Sequence, residues 1–257
     1  MRLTVVGCAG SFAGPQSPAS SYLISADDGA RTWNVLLDLG NGALGSLQRH
    51  LDPTELDAVV LTHLHPDHCA DLTGLYVTRK YRPGGSPAGR LPIHGPRGTA
   101  ERIALMYHGL EDGTMEAHFD FRLVTEGATW QIGPLALTAY TMNHPVEAYG
   151  YRVTDGTTTL AFSGDTDTCD NLTPLLTGAD LVLLDSAFVE GRDHVRGIHL
   201  TGRRAAQAAV AAGGVGRLML THIPAWNDPE ECRAEAAEIW SGDVELATCG
   251  AQFVFGV

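Results

Sequence analysis

Five short apolar runs in this chain end on a histidine or an aspartate: "DAVVLTH" at His63, "LALTAYTMNH" at His144, "TTLAFSGD" at Asp165, "DLVLLD" at Asp185 and "RLMLTH" at His222. Runs of this length, rich in branched residues, read as buried strands. A sheet brings the ends of its strands to one edge, where open α/β folds build their sites. The chain is thereby constrained to a sheet-based fold with these polar ends gathered at a common edge. Helical patterns at residues 42–50, 67–80, 97–108, 202–212 and 229–240 fall between runs, and the hairpin-like runs "RLTVVG", "SYLISA" and "WNVLLDLG" come first. That order predicts mixed sheets with helices outside them.

The first strand end opens the densest feature of the sequence. "HLHPDH" places His63, His65, Asp67 and His68 within six positions of a chain with 11 histidines in 257 residues. Neutral imidazole nitrogens and a carboxylate suit zinc and similar divalent ions. Together with His144, Asp165 and His222 they make seven candidate ligands. One four-coordinate zinc needs only three protein ligands and a water, so the set predicts two divalent ions, zinc foremost, with manganese or iron as alternatives.

Charge narrows the range of partners. Seventeen basic against 30 acidic residues leave a formal net charge of −13, which disfavours a long nucleic acid, whose phosphates need clustered Lys and Arg. One local exception, residues 78–90, carries Arg79, Lys80, Arg82 and Arg90 without an acid, and reads equally as a solvated loop or a substrate-facing one. No apolar run approaches the length of a membrane span. The start "MRLTVVGCAG" does not read as a secretory signal, and five scattered cysteines with no CxxC pair read as reduced thiols, so a cytoplasmic protein is expected. Cys69, next to the histidine cluster, reads as a buried structural thiol. His50, His94, His108, His118 and His194 read as surface or structural residues.

The ordered motifs His-x-His-x-Asp-His, a later strand-end His, Ser-Gly-Asp and Leu-Thr-His resemble those of the metallo-β-lactamase superfamily, and the likeness covers most of the chain. Within it, "GCAGSFAGPQSPASSYLI", "LLDLGNG", "LPIHGPRGT", "NHPVEAYGYRV" and "GIHLTGRRAA" resemble the ribonuclease Z-like phosphodiesterase branch. The resemblance implies a single domain over residues 1–257: an αββα sandwich of two mixed sheets with helices on the outer faces. It implies that His63, His65 and His144 hold one zinc, that Asp67, His68 and His222 hold the other, and that Asp165 bridges them. Asp67 would also orient the shared hydroxide that attacks phosphorus. His199, just before the expected cap Thr201 and the Ala-rich helix, matches the family's general acid. Asp185 stands where the branch carries a Glu that orients this histidine, one methylene shorter here, which leaves their contact open. Asp38 and Gly40 lie where the superfamily supports its metal loop. Members often form homodimers, and the chain leaves that assembly open.

The implied activity is hydrolysis of small, cyclic or short oligonucleotide phosphodiesters. The alternatives are a lactone, thioester or amide hydrolase on the same two ions, a redox protein, a tRNA 3′-processing endonuclease, or a non-enzymatic metal-binding module. A redox relative would carry Glu where His65 stands and would append a flavin domain. The tRNA-processing enzymes use a long arm between the strand-end His and Ser-Gly-Asp. Here His144 and Asp165 are 21 positions apart, filled by "GYRVTDGTTTLAFSG" and its expected tight turn.

Overall fold

Alternation inside the apolar runs decides the layers. Successive strand residues point to opposite faces, so a continuous apolar run needs cover on both sides. In the computed structural model, which describes residues 1–85, 89–107, 109 and 115–255, both covers are present. Val5, Tyr22, Leu37, Val60, Phe162, Leu183 and Met219 meet between two sheets. Their neighbours Val6, Leu36, Val59 and Leu61 face outward under the helices Ala43–Leu47, Leu72–Tyr81 and Thr99–Tyr107. Val182, Leu184, Leu218 and Leu220 face the opposite way, under Leu172–Leu176, Gly202–Ala211 and Pro229–Ala237. The expected αββα sandwich follows directly.

Each sheet has seven strands among the described residues. The first runs Gln252–Val254, Arg2–Gly7, Ser21–Asp27, Thr32–Leu37, Ala58–Val60, Leu91–Gly95, Phe119–Leu123. The second runs Val244–Leu246, Leu218–Thr221, Leu181–Asp185, Thr159–Phe162, Tyr149–Thr154, Leu135–Thr141, Thr129–Ile132. Both are mixed: hairpin-linked strands pair antiparallel and crossover-linked strands pair parallel. A third, two-stranded pairing joins Ala9–Gly10 to Ile223–Pro224 in parallel, tying the loop after the first strand to the residues after His222.

One expectation needs correction. The helix expected over 67–80 is two helices, Pro66–Cys69 and Leu72–Tyr81. Asp71 N–H bonds to the Leu39 carbonyl instead of continuing the helix, so Asp67 and His68 sit on a separate short turn. The basic stretch 78–90, left open between a solvated and a substrate-facing loop, has three of its four cations engaged within the fold, while Lys80 meets the Tyr76 hydroxyl at 2.8 Å. Arg79 is buried and donates to the Gly89 carbonyl, Arg82 pairs with Asp52 at 2.8 Å, and Arg90 pairs with Asp120 at 3.3 Å. Residues 86–88 of that stretch, and His108, lie outside the described residues. The helix Leu172–Leu176 was not expected from the sequence.

Candidate metal centre

The loop after Ala58–Val60 is braced from below by one carboxylate. Asp38, fully buried, accepts Thr62 N–H at 2.7 Å and the Thr62 hydroxyl at 2.9 Å, and receives His68 Nδ1 at 2.8 Å. Thr62 Oγ1 in turn lies 3.1 Å from His63 Nδ1. Gly40 completes the support: a Cβ there would fall on the Asp67 carbonyl, so no other residue permits this approach. Asp38 and Gly40 therefore touch the metal loop itself. Asp38 and His222 both adopt left-handed backbone, at φ 57° and 58°, a conformation costly for residues other than glycine and held here by the packing around them.

All seven residues expected as ligands come together, in two groups that share Asp165. His63 Nε2 and His144 Nε2 lie 3.0 and 3.2 Å from His65 Nδ1. On the other side, Asp165 Oδ1 lies 3.1 Å from His68 Nε2, Asp165 Oδ2 lies 3.2 Å from His222 Nε2, and Asp67 Oδ2 lies 3.4 Å from His68 Nε2. Asp165 Oδ2 is also 3.7 Å from His63 Nε2, so one carboxylate reaches both groups.

The outer nitrogens fix what the inner ones present. His144 Nδ1 is 2.9 Å from the Ile198 carbonyl, which can only accept, so Nδ1 carries the hydrogen and Nε2 offers its lone pair. Asp38 imposes the same tautomer on His68 while that ring is neutral, and Ser20 Oγ meets His222 Nδ1 at 2.9 Å. The inner atoms His68 Nε2, His222 Nε2 and Asp165 Oδ1 are buried without a hydrogen-bond partner, although the first and last lie 3.1 Å apart. They approach without aligning as donor and acceptor. Orphaned buried polar atoms converging from several elements fit divalent cations, which would satisfy them together.

Electrostatics favour the donor forms of Asp165, His63, His65 and His144. Burial opposes charge on Asp165, yet His222, His68 and His63 hold its carboxyl well below the usual range. Burial and then His68 push the His63 imidazole well below its ordinary pKa, keeping it neutral. Burial likewise lowers His65 and His144. His68 goes the other way: burial disfavours its charge, but Asp165 and Asp38 together raise it well above normal. Cys69 is the inert thiol expected, donating to the His65 carbonyl at 3.3 Å while burial pushes its pKa to about 12.

Beside the cluster, His199 Nδ1 meets Asp185 Oδ2 at 2.8 Å and lies 4.0 Å from Asp165 Oδ2. The contact left open by the sequence is made. The shorter Asp185 side chain is itself held at the end of its strand by Thr166 N–H and Ala187 N–H, each at 3.0 Å. Burial disfavours charge on His199, but Asp185 outweighs it and raises the imidazole pKa to about 9. A cavity of about 420 Å³ borders Thr221 and Ile223 on either side of His222 and includes none of the seven ligand-type residues.

A model of the β-lactamase superfamily domain matches residues 33–223, from the first-sheet strand Thr32–Leu37 to the residue after His222. The chain belongs to the metallo-β-lactamase superfamily. It is 41% identical over 256 residues to the Mycobacterium leprae protein ML1173, covering 98% of this chain and 88% of that protein. It is 31% identical to a ribonuclease Z of Mycobacterium bovis, covering 96% of this chain and 95% of that one. The crystal structure of the metallo-β-lactamase-fold protein YhfI from Bacillus subtilis superposes with a TM-score of 0.86 at 29% identity, over 98% of both chains.

Sequence reasoning missed one organiser of this superfamily site. Asp167, buried two residues beyond Asp165, accepts Gly197 N–H at 2.8 Å and Arg196 Nε at 2.6 Å, and also receives Arg204. Its own N–H bonds to the Asn143 carbonyl. These bonds outweigh its burial and lower the carboxyl pKa to about 2. Asp167 thus joins the segments carrying Asp165, His144 and His199. The sequence signal was weak, since an aspartate after Ser-Gly-Asp-Thr reads as a loop residue until Arg196 and Arg204 fold back on it.

Proposed function

We propose that this chain is a phosphodiesterase with two divalent ions, zinc foremost, acting in the cytoplasm on small, cyclic or short oligonucleotide phosphodiesters. Two such ions, when bound, bring the pKa of a water towards neutrality and withdraw charge from phosphoryl oxygens. His63, His65 and His144 would hold one, Asp67, His68 and His222 the other, and Asp165 both. Asp67, with its carboxyl held below the usual range by His68 and His222 against burial, stays ionised to orient the attacking water. The observation that carries the phosphodiester reading is the Asp185–His199 pair beside Asp165. Asp185 accepts from Nδ1, so the opposite nitrogen of a protonated His199 is the one that delivers a proton to the departing oxygen. An alkoxide leaving from phosphorus needs that proton; a p-nitrophenolate hardly does.

His199→Ala should therefore keep near-normal metal content yet lose roughly 10²–10⁴-fold in turnover on an alkyl phosphodiester, with a much smaller loss on bis(p-nitrophenyl) phosphate. Equal losses on both esters would remove His199 from the acid role. The substrate class is tested by screening metal-reconstituted protein against cyclic nucleotides, dinucleotides, lactones and precursor tRNA. Faster lactone turnover would favour a carboxylic-ester hydrolase on the same site. Poor tRNA processing is expected. The hairpin Tyr149–Thr154 to Thr159–Phe162 closes the interval between His144 and Asp165 with residues 155–158, and the net charge of −13 opposes a long polyanion.

A further inference from the structure

We propose that Phe12 and Trp226 form a stacking platform for the base of a nucleotide substrate, a role that rests on the phosphodiesterase reading. Trp226 is 65% exposed, the most exposed large apolar side chain among the described residues, and Phe12 is 39% exposed. Their ring centroids lie 4.8 Å apart at an interplanar angle of 40°. Paired exposed rings offer apolar π faces on which another planar group can stack.

Their position follows from the two-stranded pairing at the cluster. Ala9–Gly10 runs parallel to Ile223–Pro224, and Gly10 packs so closely on the His222 carbonyl that a Cβ would overlap it. The two segments leave His222 side by side, and Phe12 and Trp226 are the aromatic residues they carry outwards. Phe12 comes two residues after Gly10 and Trp226 four after His222, and both stretches turn, so the two residues lie within about 7 Å of Gly10 and about 14 Å of His222, respectively, along the backbone. Phe12 is further fixed by its N–H bond to the Gly10 carbonyl at 2.7 Å, after Ser11 in left-handed backbone. The platform is therefore built onto the segment that carries a candidate ligand.

The surrounding chemistry selects the occupant. "SFAGPQSP" and "IPAWN" carry no cation, and exposed Asp228 follows Trp226 by two residues, so this rim suits a neutral planar ring rather than a second phosphate. Stacking tolerates any base because every base has a π face, so the platform provides affinity with little base discrimination.

The test compares adenosine 3′,5′-cyclic monophosphate with a ribose 3′,5′-cyclic phosphate that lacks a base, using metal-reconstituted protein. Phe12→Ala and Trp226→Ala should each raise KM for the nucleotide about 5- to 150-fold while changing the baseless ester by less than about two-fold. Equal changes on both substrates, or none on the nucleotide, would overturn the platform while leaving the phosphodiesterase reading intact. Binding is read separately by titrating adenosine monophosphate against tryptophan fluorescence, with quenching expected in the native chain and lost in Trp226→Ala. If neither ester is hydrolysed, the phosphodiesterase reading fails, and this titration alone decides the platform: saturable quenching through Trp226 supports it, and its absence overturns it.

Discussion

The two sheets are built alike yet supply the site in different ways. The first contributes His63, His65, Asp67 and His68 from one loop of six positions, braced within its own half by Asp38, Thr62 and Gly40. The second contributes one residue per strand end: His144, Asp165, Asp185 and His222. Two of these are held by remote groups, His222 by Ser20 of the first half and His144 by the carbonyl of Ile198. The first set is a local motif, whereas the second exists as a site only once the sheets pack. Asp165 makes the dependence explicit, because its two oxygens reach ligands from both sheets.

The hardest test of this comparison is Asp165→Ala. Removing the shared carboxylate should abolish turnover, by roughly 10³-fold or more, and lower bound metal at both groups. Elemental analysis should fall well below the two equivalents expected of the native chain. A variant that keeps one tightly bound ion with near-native turnover would show that one sheet suffices. A finer test contrasts the braces. Asp38→Asn, which weakens the charged partner of His68, should cost about 10–100-fold in metal affinity, with activity restored by added metal. Ser20→Ala, which removes a neutral partner of His222, should cost less; the reverse order would mean that the first loop is held by its ligands alone.

The smallest expected effect lies in the packing between the sheets. His94, buried in the first sheet, stacks on Trp130 of the second with centroids 4.8 Å apart and planes 8° from parallel. Burial, with Arg122, lowers its imidazole pKa to about 4. The unfolded chain takes up this proton near pH 6.5 and the fold resists it until about pH 4, so stability is full above that range and falls as pH drops through it. Urea unfolding of metal-free protein should lose on the order of 2 kcal/mol more between pH 7 and 4 than His94→Gln does. Identical pH slopes would remove His94 from the account.

What the sequence determined by itself were the features written in short-range order. These are the HLHPDH motif, the polar ends of five apolar runs, and runs apolar on both faces that demand a covered sheet. Edge strands escaped this reading: Phe119–Leu123, Thr129–Ile132 and Gln252–Val254 are largely half-buried or exposed and carry little apolar periodicity. The break at Asp71 also escaped it, because the competing acceptor, the Leu39 carbonyl, is remote in sequence. Tertiary structure alone decided that Asp185 reaches His199, that Asp167 gathers Arg196, Gly197 and Arg204, and that Phe12 meets Trp226. Periodicity and motif spacing are set by the local geometry of strand and helix. These pairings instead depend on loop closures across 14 to 214 residues, whose directions are settled only when the two apolar inner faces meet.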